Sequence, residues 1–217
     1  VLDHRHTLCF VGSQHIEITV KMDLKGKKVL VVGLGRTGVA CTHFLTERGA
    51  EVTISEVKPE AQIQEGLKGI EGLNVKVETG GHQEDSFLGS DLIVVSPGVP
   101  LNILPLERAQ ERGKEIMSEI ELAYRFCDRP IIAVTGTNGK STTTSILGDI
   151  FKTSGKKVFV GGNLGNPMIE MFFSPDQVEY IIAEISSFQL EAISRFRPYI
   201  GILLNITLDH LDRYASY

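Results

Sequence analysis

The sequence predicts an α/β protein with two parallel-sheet domains, and three observations support this fold class. The run KKVLVVG (residues 27–33) leads through a glycine turn into apolar residues at helical spacing. The stretch RPIIAVTGTNGKSTTTSIL (129–147) repeats this order of strand, glycine turn and helix. Further short apolar runs follow each of them at the spacing of βαβ units. We therefore expect a doubly wound domain followed by a second parallel-sheet domain.

Composition excludes several classes of protein. The chain has 217 residues, of which 42% are hydrophobic, and its formal net charge is −5. It has no surplus of cations to neutralise a nucleic-acid backbone, so we expect no nucleic-acid partner. No apolar run approaches the roughly 20 residues that span a bilayer, so no membrane segment is expected. The 3 cysteines are odd in number and lack metal-ligand spacing, which is typical of the reducing cytoplasm.

The first domain is predicted to span residues 22–128, after an N-terminal extension of residues 1–21. Its first helix ends at Gly49, and a later helix is expected at 106–112. Ser118 and Glu121 have capping-box spacing, which predicts a helix that ends near Cys127, where DRP breaks the pattern. The expected strands after the first are AEVTISE (50–56), NVKVE (74–78) and DLIVVS (91–96).

The second domain is predicted to span residues 129–217. A helix is expected from Lys140, with one apolar face formed by Ile146, Leu147, Ile150 and Phe151. A shorter helix is expected from Ser187. The expected strands are 131–135, 157–160, 180–185 and 200–206.

The first glycine motif, Gly33-Leu34-Gly35-Arg36-Thr37-Gly38, fulfils the G-x-G-x-x-G pattern of dinucleotide-binding domains. Glu56 ends the next strand, where a ribose-binding acid would lie, so the pattern alone predicts NAD. However, backbone N–H groups at a helix N-terminus stabilise any diphosphate. Ser96-Pro97-Gly98 ends a later strand at the same sheet edge. The alternative for the glycine motif is tight packing without a ligand, and the alternative for Ser96-Pro97-Gly98 is a simple turn.

The second glycine motif fits the Walker A pattern only in part. Gly139-Lys140-Ser141 matches, but Val134 stands where the pattern has its first glycine. Lys140 can bring its charge to the β- and γ-phosphates, and Ser141 or Thr142 can reach a Mg²⁺. The alternative is a capped turn with an exposed lysine. The candidate ATP-binding residues are Gly136, Thr137, Asn138, Gly139, Lys140, Ser141 and Thr142.

Polar residues at the ends of later strands complete this candidate site. Glu184 lies near the end of the apolar run YIIAEIS, where a carboxylate is costly to bury unless a cation such as Mg²⁺ meets it. A pairing with arginine or a helix cap is the alternative. Asn163 in VGGNLG, and Asp209 with His210 in NITLDHLDR, follow neighbouring strands and should face the phosphates. Asparagine in a loop is also a common turn former.

These motifs together resemble those of the Mur ligase family. VGLGRTG, VVSPGVP, AVTGTNGKSTTT, GGNLG, AEISSFQLE and LNITLDHLDRY follow in that order, and the resemblance covers residues 22–217. It implies a Rossmann-like domain that binds the UDP moiety of a muramoyl peptide precursor, followed by a P-loop-type ATPase domain. The implied substrate-binding residues are Gly35, Arg36, Thr37, Gly38, Glu56, Ser96, Pro97, Gly98 and Asn163.

The resemblance also implies a reaction in peptidoglycan precursor synthesis. The γ-phosphate of ATP would pass to the alanyl carboxylate of UDP-N-acetylmuramoyl-L-alanine, and the amine of D-glutamate would attack the acyl phosphate. SSFQLE favours the member that adds D-glutamate over those that add L-alanine, a diamino acid or a dipeptide. Lys140 would be catalytic, Ser141 and Glu184 would hold one Mg²⁺, and His210 would help to hold a second. We expect a monomer in the cytoplasm.

The sequence departs from the family pattern after DHLDRY. Family members continue with the rest of the ATPase domain and with a third domain that binds the amino acid. We therefore expect a fragment of a ligase about twice as long, with the C-terminal domain absent and no activity on its own. Another Mur or folylpolyglutamate-type ligase is an alternative, and so is a non-catalytic UDP- or NAD-binding module, against which Lys140 and Glu184 argue.

Overall fold

The structure, a computed structural model, describes residues 8–11, 22–163, 165–174 and 177–207. These residues form two compact units. The N-terminal unit contains 22–127 and 188–196, and the C-terminal unit contains 8–11, 128–187 and 197–207. Residues 188–196 follow the second glycine motif in sequence, but they belong to the N-terminal unit. The domain limits proposed from sequence had placed them in the second domain.

The described elements alternate between strands and helices along most of the chain. The strands are β1 (Leu8–Val11), β2 (Lys28–Val32), β3 (Glu51–Glu56), β4 (Lys76–Thr79), β5 (Leu92–Val95), β6 (Glu115–Ser118), β7 (Ile131–Thr135), β8 (Val158–Gly162), β9 (Tyr180–Glu184) and β10 (Ile200–Leu203). The α-helices are α1 (Arg36–Glu47), α2 (Gln64–Gly69), α3 (Glu84–Gly89), α4 (Leu104–Glu111), α5 (Glu119–Phe126), α6 (Lys140–Thr153) and α7 (Ser187–Leu190). In the part of the chain that is described, no helix is long and apolar enough to cross a bilayer.

The N-terminal unit is built on a parallel sheet with strand order β4-β3-β2-β5-β6. The chain leaves β2 toward β3 and β4 on one side and later fills β5 and β6 on the other. The strand order therefore reverses between β2 and β5, where open α/β sheets place their ligands. The predicted doubly wound fold is confirmed, and the crevice lies beyond Val32 and Val95, which pair in register.

Both faces of this sheet are buried, which explains the nearly continuous apolar runs of its strands. Leu30 and Ile93 pack with Phe87 of α3 and Leu106 of α4 in one cluster. Phe44 of α1 is also fully buried. Helices on the sheet thus hold the carboxyl ends of β2 and β5 in fixed positions.

The start of α5 corrects one expectation from the sequence. A helix follows Ser118 as predicted, but the Ser118 side chain makes no capping hydrogen bond. The Glu121 carboxylate instead accepts the backbone N–H groups of Ser194 and Phe196 at 3.0 and 2.8 Å, and Arg125 Nε at 2.8 Å. The predicted capping box is wrong because the Glu121 carboxylate instead accepts N–H groups from a turn that is distant in sequence.

The C-terminal unit contains a sheet of order β1-β10-β7-β9-β8. Strands β10, β7, β9 and β8 run parallel, as the sequence predicts, and β1 pairs antiparallel with β10. In that pairing Leu8 lies opposite Leu203 and Val11 opposite Ile200. Part of the predicted extension thus forms an edge strand. The central position of β7 places its following loop between the ends of β9 and β10.

Helix α6 packs on this sheet through a different face from the predicted one. Thr144 and Gly148 are buried, and a Cβ on Gly148 would lie 2.7 Å from Val160 Cγ2. Ile146 and Ile150 are each 54% exposed. At about 100° per residue they lie roughly opposite the line of Thr144 and Gly148, so the predicted single apolar face is wrong.

Candidate functional site

The first glycine loop joins β2 to α1 in the N-terminal unit. Gly33 has a φ of 94°, which favours glycine, and Gly35 is the N-cap of α1 in an extended conformation. No side chain caps this helix N-terminus. A Cβ on Gly38 would lie 2.0 Å from the Gly33 carbonyl oxygen, so only glycine allows α1 to approach the loop this closely. The result is a tight turn with helix N–H groups directed at the crevice.

A buried carboxylate holds this loop in place. Glu56 is 7% exposed, and its Oε2 accepts the N–H of Leu34 at 2.8 Å. Its Oε1 accepts the N–H of Lys58 at 3.0 Å. Glu56 therefore joins the end of β3 to the glycine loop. Its predicted contact with substrate remains a prediction, because the structure shows the carboxylate supporting the loop.

Residues after β5 lie beside the same loop. Ser96 N–H bonds to the Val32 carbonyl at 3.0 Å, and its hydroxyl donates to the Gly33 carbonyl at 3.4 Å. Pro97 and Gly98 follow directly, and a Cβ on Gly98 would meet nothing within 4 Å. The structure thus brings the predicted set at 35–38, 56 and 96–98 together at one edge of the sheet.

A histidine that the sequence did not single out lies at this edge. His82 Nδ1 and Ser55 Oγ are 2.8 Å apart, and the His82 ring contacts Phe87 edge-on. Partial burial lowers the pKa of His82, although the nearby Glu56 charge opposes that shift. Burial therefore favours the neutral imidazole.

The second glycine loop joins β7 to α6 in the C-terminal unit. Gly136 has a φ of 132° and Gly139, the N-cap of α6, has a φ of 85°. A Cβ on Gly136 would lie 2.9 Å from the Asn205 carbonyl oxygen. Val134 is buried within β7 and pairs with Glu184. The Walker position that is not glycine is therefore a strand residue, and the loop itself begins at Gly136.

Lys140 folds back over this loop. Its Nζ donates to the carbonyl groups of Gly136 at 2.7 Å and Thr137 at 2.9 Å. These two bonds hold the ammonium group at the centre of the loop. A cation in this position lies at the N-terminal end of α6, where the helix dipole also favours an anion.

A hydrogen-bonded group lies beside the second glycine loop and consists of Glu184, Ser141 and Asn163. Glu184 is 3% exposed, and its Oε2 accepts the Ser141 hydroxyl at 2.7 Å. Its Oε1 accepts Asn163 Nδ2 at 2.9 Å, and its backbone carbonyl accepts the Asn163 N–H at 2.8 Å. The predicted residues at 141, 163 and 184 therefore meet.

This group fits a magnesium ion. A hydroxyl and a carboxylate are hard oxygen donors, and Mg²⁺ is commonly bound by one or two protein oxygens together with phosphates and water. Among the described residues, no arginine or lysine forms a hydrogen bond or an ion pair with the Glu184 carboxylate, whose partners are Ser141 and Asn163. The described residues also contain no cluster of 3 or more His, Cys, Asp or Glu side chains that could hold a metal. Asp209 and His210 lie outside the described residues.

Asn205 and Thr207, which the sequence analysis did not single out, hold the second loop from the end of β10. Asn205 Oδ1 accepts the Asn138 N–H at 2.8 Å, and Asn205 Nδ2 donates to the Asn138 carbonyl at 2.9 Å. The Asn205 carbonyl accepts the Thr137 N–H at 2.9 Å. The only available sequence signal was that two polar residues come shortly after an apolar run.

The mainly parallel sheets and the lysine-bearing loop before α6 define an α/β protein with a P-loop-type strand–loop–helix motif. Comparison with known families gives a narrower assignment. Residues 27–118 match the family described as Mur ligase MurD-like, N-terminal domain, and residues 134–217 match the Mur ligase middle domain. The chain belongs to the Mur ligase family.

Similar proteins agree with this assignment. The chain is 55% identical over 196 residues to UDP-N-acetylmuramoylalanine--D-glutamate ligase of Geotalea daltonii, covering 90% of this chain and 43% of that relative. It is also 55% identical to the ligase of the same name from Pelobacter propionicus, covering 90% of this chain and 44% of the relative. The chain thus spans less than half the length of these relatives.

A solved structure supports the fold. It is UDP-N-acetylmuramate:L-alanyl-gamma-D-glutamyl-meso-diaminopimelate ligase from Neisseria meningitides, with a TM-score of 0.54 and 20% identity. The match covers 88% of this chain and 64% of that structure. The predicted α/β fold class is confirmed by this likeness together with the two mainly parallel sheets.

Proposed function

We propose that this chain forms the UDP-substrate-binding domain and part of the ATPase domain of a ligase that adds D-glutamate to UDP-N-acetylmuramoyl-L-alanine. The observation that carries the proposal is the group of Lys140, Ser141 and Glu184 at one phosphate loop. The names of the relatives support the substrates. The reaction belongs to peptidoglycan precursor synthesis, which takes place in the cytoplasm.

The first loop would bind the diphosphate of the UDP moiety. The N-terminus of α1 has no side-chain cap, so its N–H groups can receive phosphate oxygens. Gly35 has nothing within 4 Å of its Cβ position, which leaves space for a ligand against the backbone. Ser96 and Gly98 would lie beside the bound precursor. Glu56 would act mainly by keeping the loop in the receiving conformation.

The second loop would bind ATP, with Lys140 turned toward its phosphates. The bonds from Lys140 to Gly136 and Thr137 fix the ammonium group where charge develops during phosphoryl transfer. Ser141 and Glu184 would hold Mg²⁺, which when bound neutralises phosphate charge. Asn163 would keep Glu184 oriented, and its predicted contact with the precursor remains part of the proposal. A role for His210 in a second metal site also remains proposed.

The reaction proceeds in two steps. An oxygen of the alanyl carboxylate attacks the γ-phosphorus of ATP, the bond to the bridging oxygen breaks, and ADP leaves. The D-glutamate amine then attacks the acyl carbon, loses a proton, and displaces inorganic phosphate. Lys140 acts in the first step, since it stabilises negative charge on the phosphoryl group in transit.

Calorimetric titration of this chain with UDP-N-acetylmuramoyl-L-alanine, UDP and NADH tests the substrate assignment. We expect the muramoyl ligand to bind more tightly than UDP and far more tightly than NADH. Tighter binding of NADH would contradict the proposal and favour a dinucleotide-binding module. Equal binding of UDP and the muramoyl ligand would contradict the contacts proposed for Ser96 and Gly98.

A further inference from the structure

The side-chain amide of Asn205 makes a two-point contact with the backbone of Asn138. Its Oδ1 accepts the Asn138 N–H at 2.8 Å, and its Nδ2 donates to the Asn138 carbonyl at 2.9 Å. The Asn205 side chain pairs with the Asn138 backbone as a peptide group of a neighbouring strand would, because it supplies both an acceptor and a donor.

Thr207 adds a second contact between the same two segments. Its N–H donates to Thr137 Oγ1 at 2.9 Å, and Thr137 Oγ1 lies 3.2 Å from the Thr207 carbonyl. The Thr137 N–H is bound by the Asn205 carbonyl at 2.9 Å. We call these contacts of Asn205 and Thr207 with Thr137 and Asn138 the Asn205 clamp.

The clamp determines which N–H groups of the loop can meet a ligand. The N–H groups of Thr137 and Asn138 are already bound by Asn205. Phosphate oxygens must therefore be met by N–H groups from Gly139 onward and by Lys140. Gly136 and Gly139, both at positive φ, would otherwise give this segment a wide choice of backbone conformations.

We propose that Asn205 is a positioning residue that fixes the phosphate loop in its nucleotide-receiving conformation. The inference deepens the proposed function and rests on it, since it concerns the same ATP site. Asn205 touches no reacting atom, and it acts through the backbone of Asn138. Its contacts are solvent-exposed, so they contribute little to the core. Their main effect is to pre-order a glycine-rich loop, which reduces the entropy lost when a ligand binds.

Amide hydrogen exchange of the unliganded chain tests the clamp without any nucleotide. In Asn205→Ala we expect faster exchange at Asn138, whose N–H loses its side-chain acceptor, with exchange in β7 unchanged. Asn205→Asp keeps an acceptor for the Asn138 N–H but places a second oxygen against the Asn138 carbonyl, so it should behave in the same way. Asn102→Asp, the same chemical change at an exposed position of the other unit, is the control.

Calorimetry with MgATP then tests the positioning role. We expect the Kd for MgATP to rise about tenfold in Asn205→Ala, since two hydrogen bonds no longer pre-order the loop. The melting temperature should change little, and Asn102→Asp should bind as the wild type does. In a full-length ligase that carries this sequence, the KM for ATP should rise more than kcat falls.

Unchanged exchange at Asn138 in Asn205→Ala would overturn the clamp. Faster exchange with an unchanged Kd would overturn the positioning role while leaving the proposed function intact. Wild-type binding of MgATP by Lys140→Ala would overturn the proposed function itself, and the role of the clamp with it.

Discussion

The two glycine loops use the same strand–turn–helix plan but differ by one residue in length. Gly33 and Gly38 have the same spacing as Gly136 and Ser141. However, α1 begins three residues after Gly33, whereas α6 begins four residues after Gly136. In the shorter loop the helix packs directly against the turn at Gly38. In the longer one the corresponding position is Ser141, whose side chain reaches Glu184.

The supports of the two loops differ in charge as well. A buried carboxylate, Glu56, holds the first loop, and a neutral amide, Asn205, holds the second. The first loop offers no lysine comparable to Lys140, and its first helical residue, Arg36, is exposed. A helix N-terminus alone suits a diphosphate that only needs to be bound. A loop with its own cation and a metal-binding acid suits a phosphate that must be transferred.

Removing the cation of the second loop should have the largest effect. In a full-length ligase that carries this sequence, we expect Lys140→Ala to lower turnover by roughly 10²-fold or more, because it removes charge stabilisation in the transition state. Phosphate release under saturating substrates measures this. Lys152→Ala, at the exposed end of the same helix, should leave turnover nearly unchanged. An unaltered kcat in Lys140→Ala would refute the assigned role.

A matched pair of substitutions tests the close packing of α1 on the first loop. Gly38→Ala would place a methyl group 2.0 Å from the Gly33 carbonyl oxygen, and we expect a loss of about 1–3 kcal/mol of unfolding free energy. Gly35→Ala adds the same methyl group where nothing lies within 4 Å, so it should cost less than about 1 kcal/mol. Urea denaturation compares them. Equal losses would show that the packing of α1 on the loop is not the constraint.

The carboxylate support of the first loop should have a smaller effect on stability. Glu56→Gln leaves one oxygen to accept an N–H but turns an NH₂ group toward another donor, either Leu34 or Lys58. We expect a loss of about 1 kcal/mol of unfolding free energy, with weaker binding of the UDP ligand and unchanged binding of MgATP. Weaker binding of MgATP alone would contradict the assignment of Glu56 to the first loop.

The smallest expected effect is the pH dependence of the unfolding free energy that Glu121 contributes. Burial alone would raise the pKa of Glu121, but hydrogen bonds from Ser194, Arg125, Arg195 and Phe196 outweigh it and lower the pKa below 4.5. The stabilisation is therefore present above the unfolded pKa and is lost as the pH falls through the folded one. The stability gap between wild type and Glu121→Gln should narrow in acid. A gap that widens in acid would contradict this sign.

Much of this architecture follows from local sequence patterns. Glycine turns between apolar strands and amphipathic helices predicted both sheets and the positions of Lys140, Ser141 and Glu184. The partners of Glu121 and the Asn205 clamp could not be predicted, because they join residues 73 and 67 positions apart through side-chain orientation. The buried face of α6 was also predicted wrongly, since Gly148 rather than an isoleucine faces β8. Hydrophobic periodicity identifies a buried helix face by its apolar side chains, so it misses a face that packs closely because it carries a glycine.

We expect the two loops to bind two different ligands at the same time, and only the second to use Mg²⁺ and Lys140. Calorimetric titration of UDP-N-acetylmuramoyl-L-alanine into this chain saturated with MgATP tests it most directly. We expect one muramoyl ligand to bind per chain. Its Kd should be the same when EDTA replaces Mg²⁺ and when Lys140→Ala replaces the wild type. Competition between the two ligands for a single site, or loss of muramoyl-ligand binding in a folded Lys140→Ala variant, would contradict it.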